Sequence, residues 1–193
     1  MTQQSGKSAE KTKIGDSEQA LSLIVDSGVQ RNFARSLLNV YERWVIKIAN
    51  EILKSLVYFF IFSLLFIISV VDLKNQTISN KLTFTIFVVS LIYKVYEGSL
   101  LDSIKGLLTG FVIFYVIAII SKGGMGGGDI KLVASVGTLL GFEATLSMIS
   151  LSFILGGVVA IILLITKVKT RKDSIPFAPF ISISTFVILL GVL

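Results

Sequence analysis

Six apolar runs dominate this chain: Ser55–Val71, Leu82–Tyr96, Gly106–Ser121, Leu132–Phe142, Ala144–Thr166 and Ile175–Leu193. Lipid accepts such runs only if the backbone satisfies its own hydrogen bonds, which predicts helices here. Composition agrees, with 53% hydrophobic residues, 16% charged residues and a mean hydropathy of +0.86. Several runs fall short of the roughly 20 residues that a helix needs to cross the hydrocarbon. Snorkelling lysines and local thinning of the bilayer supply the remainder. The expected fold class is all-α: a polytopic membrane protein of about six transmembrane helices, with a basic amphipathic helix before them.

That amphipathic helix is read from Phe33, Leu37, Tyr41, Trp44 and Ile48, which recur at steps of three and four while Arg31, Arg35, Asn39, Arg43 and Lys47 fall largely on another face. Its apolar face suits either a membrane surface or a protein partner. Residues 1–20 are polar and carry no signal-peptide core, which predicts a disordered or loosely helical tail. The domain division expected is therefore 1–54, polar tail and amphipathic helix, and 55–193, a membrane-embedded unit. The net charge of +6 is explained by residues flanking apolar spans and facing lipid headgroups, so lipid rather than nucleic acid is the expected partner.

The chain has no cysteine and no histidine, so thiol nucleophiles, imidazole bases and zinc sites built on those residues are excluded. Acid–base work falls to carboxylates, and no metal or other cofactor is expected. The stretch Gly123–Leu132 reads GGMGGGDIKL. It fails the dinucleotide pattern, because Asp129 stands where the third glycine belongs, and it fails the phosphate-loop pattern for want of Gly-Lys-Ser/Thr. Its plainest reading is a turn with Asp129 capping a helix that begins at Ile130. A second aspartate in a similar setting adds another: Asp72 closes the first apolar run, and Asp72-Leu73-Lys74 parallels Asp129-Ile130-Lys131. Two apolar runs lie between the aspartates, which returns the chain to the same side of the membrane, so the two can meet. Paired carboxylates resist ionising together, and one holding a proton beside one anion makes an acid–base pair. Lys74 and Lys131 would raise the local positive potential, or serve simply as flanking lysines that set topology. Gly126 and Gly128 would let an extended peptide backbone approach, through positive φ or for want of a side chain.

These residues resemble the type IV prepilin peptidases, including preflagellin peptidases and the short tight-adherence (Flp pilus) enzymes. GGMGGGDIKL is similar to the G-x-G-D signature at Gly126, Gly128 and Asp129, and VVDLKNQTISNKLT resembles the family's first aspartate motif. In that motif Ser79 replaces a proline between Ile78 and Asn80, which predicts a looser turn. IPFAPFISIST at Ile175–Thr185 resembles the proline-containing lead-in to the family's last helix. The resemblance implies an aspartic endopeptidase with Asp72 and Asp129 as its dyad, removing the short basic leader of a prepilin at the cytoplasmic face of a prokaryotic inner membrane. Long members carry Cys-x-x-Cys pairs and also N-methylate the pilin; a cysteine-free chain resembles them in the peptidase portion alone.

Lysine and arginine counts predict the same orientation. The dyad side would carry Lys74, Lys81, Lys122, Lys131, Lys167, Lys169, Arg171 and Lys172, against Lys94 and Lys105 opposite. Residues 1–54 conflict with this: one span before Asp72 places them outside, yet they hold eight positive charges. Their side of the membrane stays open, as do the oligomeric state and the particular prepilin. The alternative from another class is a non-catalytic membrane subunit of a secretion or transport assembly, with Asp72 and Asp129 binding a cation or capping helices.

Overall fold

The computed structural model describes residues 3–121, 125–167 and 175–192, with side chains from residue 32 onward except at 34 and 192. Lys122, Gly123, Gly124, Lys169, Arg171 and Lys172 lie outside the described residues. Six helices are present among those described: α1 (Gln3–Asn75), α2 (Asn80–Glu97), α3 (Leu100–Ile120), α4 (Gly127–Leu140), α5 (Phe142–Ile165) and α6 (Ala178–Val192). The chain is all-α. Segment Arg35–Asn75 of α1, together with α3 and α5, is long and apolar enough to cross a membrane.

The chain divides into two units, Met1–Leu53 and Lys54–Leu193. In the first, α1 is already helical from Gln3, and no break separates the polar tail from the amphipathic segment. Phe33, Leu37, Tyr41 and Trp44 are all exposed there, as are Arg35, Arg43 and Lys47.

In the second unit α4 is the central helix, packed against α2, α3, α5 and α6. Every residue from Leu132 to Leu139 is buried. This explains its length: 14 residues rise about 21 Å, too little to span lipid alone, but a helix walled in by other helices has little lipid to face. The outer helices turn Phe59, Phe66, Phe84, Ile119, Ile154 and other large apolar residues outward, as lipid demands.

Between helices in lipid the attraction comes from close packing rather than from the expulsion of water. The α3–α4 contact shows the means. A Cβ built on Gly106 would collide with the Gly137 carbonyl oxygen, and one on Gly137 with the Gly106 carbonyl; at Gly110 it would lie 2.9 Å from the Val133 carbonyl oxygen. Gly106 and Gly110 form a G-x-x-x-G step, a sequence signal that the reading above did not use. Hydroxyls add directed contacts: Ser103 donates to the Thr138 carbonyl at 2.8 Å, and the Ser69 and Ser182 hydroxyls bond at 2.7 Å between α1 and α6. Other buried hydroxyls, including Ser135, Thr138 and Thr185, bond the carbonyl four residues back and so reach the apolar interior already satisfied.

The far end of the bundle closes where α4 meets α5. Gly141 adopts φ +80°, and the Asp102 carboxylate on α3 accepts the Phe142 amide at 3.1 Å, capping α5 from a neighbouring helix. A cavity of about 770 Å³ opens here beside Asp102, Lys105 and Glu143.

The glycine contact predicts a sharp contrast. Gly106→Ala and Gly137→Ala should each destabilise the protein in detergent by about 1–3 kcal/mol, because a methyl meets backbone that cannot swing aside. Gly157→Ala, with no atom within 4 Å, should stay within about 0.5 kcal/mol. Thermal unfolding of the three purified variants checks this.

Candidate active site

Three chain segments converge at the other end: the C-terminus of α1, the N-terminus of α4 and the N-terminus of α6. Asp72 lies in the last turn of α1 and is buried. Its helix stops at Asn75, and Gln76 takes a left-handed φ of 51° with its amide on the Asp72 carbonyl at 2.9 Å. The Asp72 side chain turns to α6, where its Oδ2 accepts the Ala178 backbone amide at 3.0 Å; the Phe177 amide also faces it. Helix N-termini present unpaired amides and partial positive charge, so a carboxylate is well placed there. Pro179, in the first turn, has no amide to offer and fits that position without loss.

Asp129 does not cap a helix beginning at Ile130, as the plainest sequence reading had it. α4 starts earlier, at Gly127, with Gly126 as its N-cap, so Asp129 is the third helical residue. From there it faces back toward the Gly126 amide, while its Oδ1 is buried without a hydrogen-bond partner among the described residues. Burial, and after it the Asp72 charge, push the Asp129 carboxyl up to about 6, against the opposing pull of the Gly126 amide. Asp72 and Asp129 are thus brought close enough for one charge to act on the other.

The remaining residues singled out from the sequence separate into distinct roles. Lys131 donates to the Asn80 carboxamide at 3.1 Å, tying α4 to the start of α2. Lys74 is exposed. The two glycines differ. Neither has positive φ, since among the described residues only Gly98 and Gly141 are glycines that do, so the conformational half of the sequence argument fails. A Cβ on Gly128 would lie 2.9 Å from the Ile78 Cβ; on Gly126 the nearest atom would be Asp129 Oδ2, at an ordinary 3.4 Å. Gly128 is therefore the seat for the loop that follows Asp72. In that loop Ser79 holds φ −70°, the value a proline imposes, so the turn keeps the shape expected of a proline.

Two membrane-facing grooves adjoin the site. One, about 510 Å³, runs between α1 and α6 past Phe59, Phe66, Ser69, Ser182 and Phe186; Ser69 is one turn from Asp72. The other, about 480 Å³, is lined by Asn80, Phe84, Phe87, Phe111, Lys131 and Ser135.

Residues 59–161, more than half of the chain, match the model of the type IV leader peptidase family. The chain belongs to this family. It is 34% identical over 124 residues to the prepilin leader peptidase/N-methyltransferase of Bacillus subtilis, covering 62% of this chain and 49% of that one. The Vibrio cholerae protein of the same name is 31% identical over 154 residues, 75% of this chain and 59% of its own length. The Escherichia coli protein of that name is 28% identical over 136 residues, 67% and 60% of the two chains. The chain thus spans about half to three-fifths of the length of these relatives. No solved structure matches it.

Within this candidate site, Gly128→Ala should lower folded yield and activity together by displacing Ile78, whereas Gly126→Ala should leave both within about twofold, since its Cβ meets only van der Waals contact. Activity per folded enzyme, measured for both variants at equal amounts in the membrane, distinguishes this from equal sensitivity of the two positions.

Proposed function

We propose that this protein is a membrane aspartic endopeptidase that removes the short basic leader of a type IV prepilin-like protein at the cytoplasmic face of the inner membrane. Residues 55–193 form the peptidase unit and residues 1–54 an appendage whose basic amphipathic helix binds anionic lipid. The observation that carries the reading is the meeting of Asp72 and Asp129, from helices far apart in sequence, at one end of the bundle. A carboxylate pair of which one member holds a proton performs peptide hydrolysis without any other group. The anion takes a proton from water as its oxygen attacks the carbonyl carbon, and the carboxyl gives its proton to the carbonyl oxygen. The first proton then passes to the departing amine nitrogen, and the second returns as the carbonyl reforms. The relatives' name supports a prepilin as substrate, and the positive charges at the dyad end support the cytoplasmic orientation.

Co-expression with candidate prepilins, read as a size shift, tests the activity. Asp72→Asn and Asp129→Asn should each cut processing by about 100- to 10,000-fold while remaining in the membrane. An unshifted substrate with the unaltered protein would favour the non-catalytic subunit.

Orientation has its own test, made clean by a chain without cysteine. An impermeant thiol reagent applied to intact cells should label Ser99→Cys and spare Asn75→Cys, and labelling of Ser8→Cys reports the side of the N-terminal segment. Labelling of Asn75→Cys alone would place the dyad outside.

A further inference from the structure

We infer that the backbone amide of Ala178, at the N-terminus of α6, assigns the two aspartates their roles: it holds Asp72 as the anion that activates water, leaving Asp129 to carry the proton. The inference rests on the peptidase reading above and goes beyond it by breaking the symmetry of the pair.

The two carboxylates have different surroundings. Asp72 Oδ2 accepts the Ala178 amide at 3.0 Å, with the Phe177 amide also facing it. An amide can only donate, so this contact favours the charged form of its acceptor. Asp129 faces only the amide of Gly126, and its Oδ1 is buried with no partner among the described residues. An ionised oxygen left in that position is expensive, whereas a protonated one has a hydrogen to give to a carbonyl oxygen brought beside it.

Among the described residues no further charged side chain is seen bonded to either carboxylate. α6 has no charged side chain, Lys131 of α4 is engaged by Asn80, and Lys81 of α2 and Lys74 of α1 are exposed. Asp72, in turn, is the charge that acts on Asp129.

The Ala178 amide is itself held firmly. Ala178 is fully buried, and the preceding Phe177 is wedged among Phe114, Phe153 and Phe180, with ring centroids 5.9, 5.2 and 5.9 Å away. A Cβ on Gly156 would lie 2.9 Å from the Phe177 ring, so α5 supplies a notch for that wedge. Ala178 is thus a positioning residue, acting through Asp72.

Ala178→Pro removes this amide at a helical position where proline is accepted, and Ala178→Val adds comparable bulk while keeping the amide. The rate at limiting substrate should describe a bell against pH, its acid limb set by protonation of Asp72 and its alkaline limb by ionisation of Asp129. Proline should move the acid limb up by about one pH unit, the loss of one hydrogen bond to a charged group, and leave the alkaline limb in place. Valine should move neither. Equal profiles for the two variants, or movement of the alkaline limb alone, would overturn the assignment.

A second measurement needs neither substrate nor these variants. Infrared titration of the Asp72→Asn and Asp129→Asn proteins, each against the double variant, reads the carboxyl that remains. The Asp129 carboxyl should stay protonated to higher pH than the Asp72 carboxyl. The reverse order overturns the inference, whatever becomes of the peptidase reading.

Discussion

One hydrogen bond joins the start and the end of the helical bundle: the Asp72 carboxylate on the Ala178 amide, 106 residues along the chain. A charged side chain at the membrane end of a helix is costly unless something compensates it, and the first turn of a helix has amides that its own ladder cannot use. Each removes the other's deficit. The pairing fixes α6 beside α1, where Ser69 and Ser182 bond one turn away and Phe62 meets Phe186. It also directs the Asp72 carboxylate inward, toward the start of α4. The site is therefore a consequence of how two helix ends are satisfied.

The central helix supplies the other half. Because α4 is enclosed, its N-terminus is set by packing on several sides, and the glycine contacts with α3 bring the two backbones as near as backbones can come. Gly128 extends the same principle to the loop after Asp72, where Ile78 rests on bare backbone. Small residues in this bundle act mainly as places where something else fits.

The six helices were legible because each contains most of a sustained apolar run; α5, at Phe142–Ile165, matches the run Ala144–Thr166 closely, whereas α1 and α4 begin well before theirs. Asp72 and Asp129 stood out because a charge bordering lipid is conspicuous. What was not legible has no letter of its own. A backbone donor such as the Ala178 amide looks the same at every residue except proline, so the sequence showed a proline-containing lead-in without the bond it makes to Asp72. Gly126 and Gly128 look equivalent in GGMGGGD, yet only one has Ile78 against it, and that depends on a loop folded from 50 residues upstream. Positive φ was a fair inference from glycine chemistry, but α4 begins early enough that Gly128 is helical. Nothing between the polar tail and the first apolar run breaks a helix, so α1 is continuous where composition changes abruptly.

The Asp72–Ala178 bond also bears on biogenesis. The ribosome delivers α1 long before α6, and until Ala178 has been made and inserted, Asp72 has no amide from that helix to receive it. A nascent chain that stalls before residue 178 holds both aspartates but lacks the element that orients one of them. The placing of the Asp72 carboxylate is thereby deferred until α6 has joined α1.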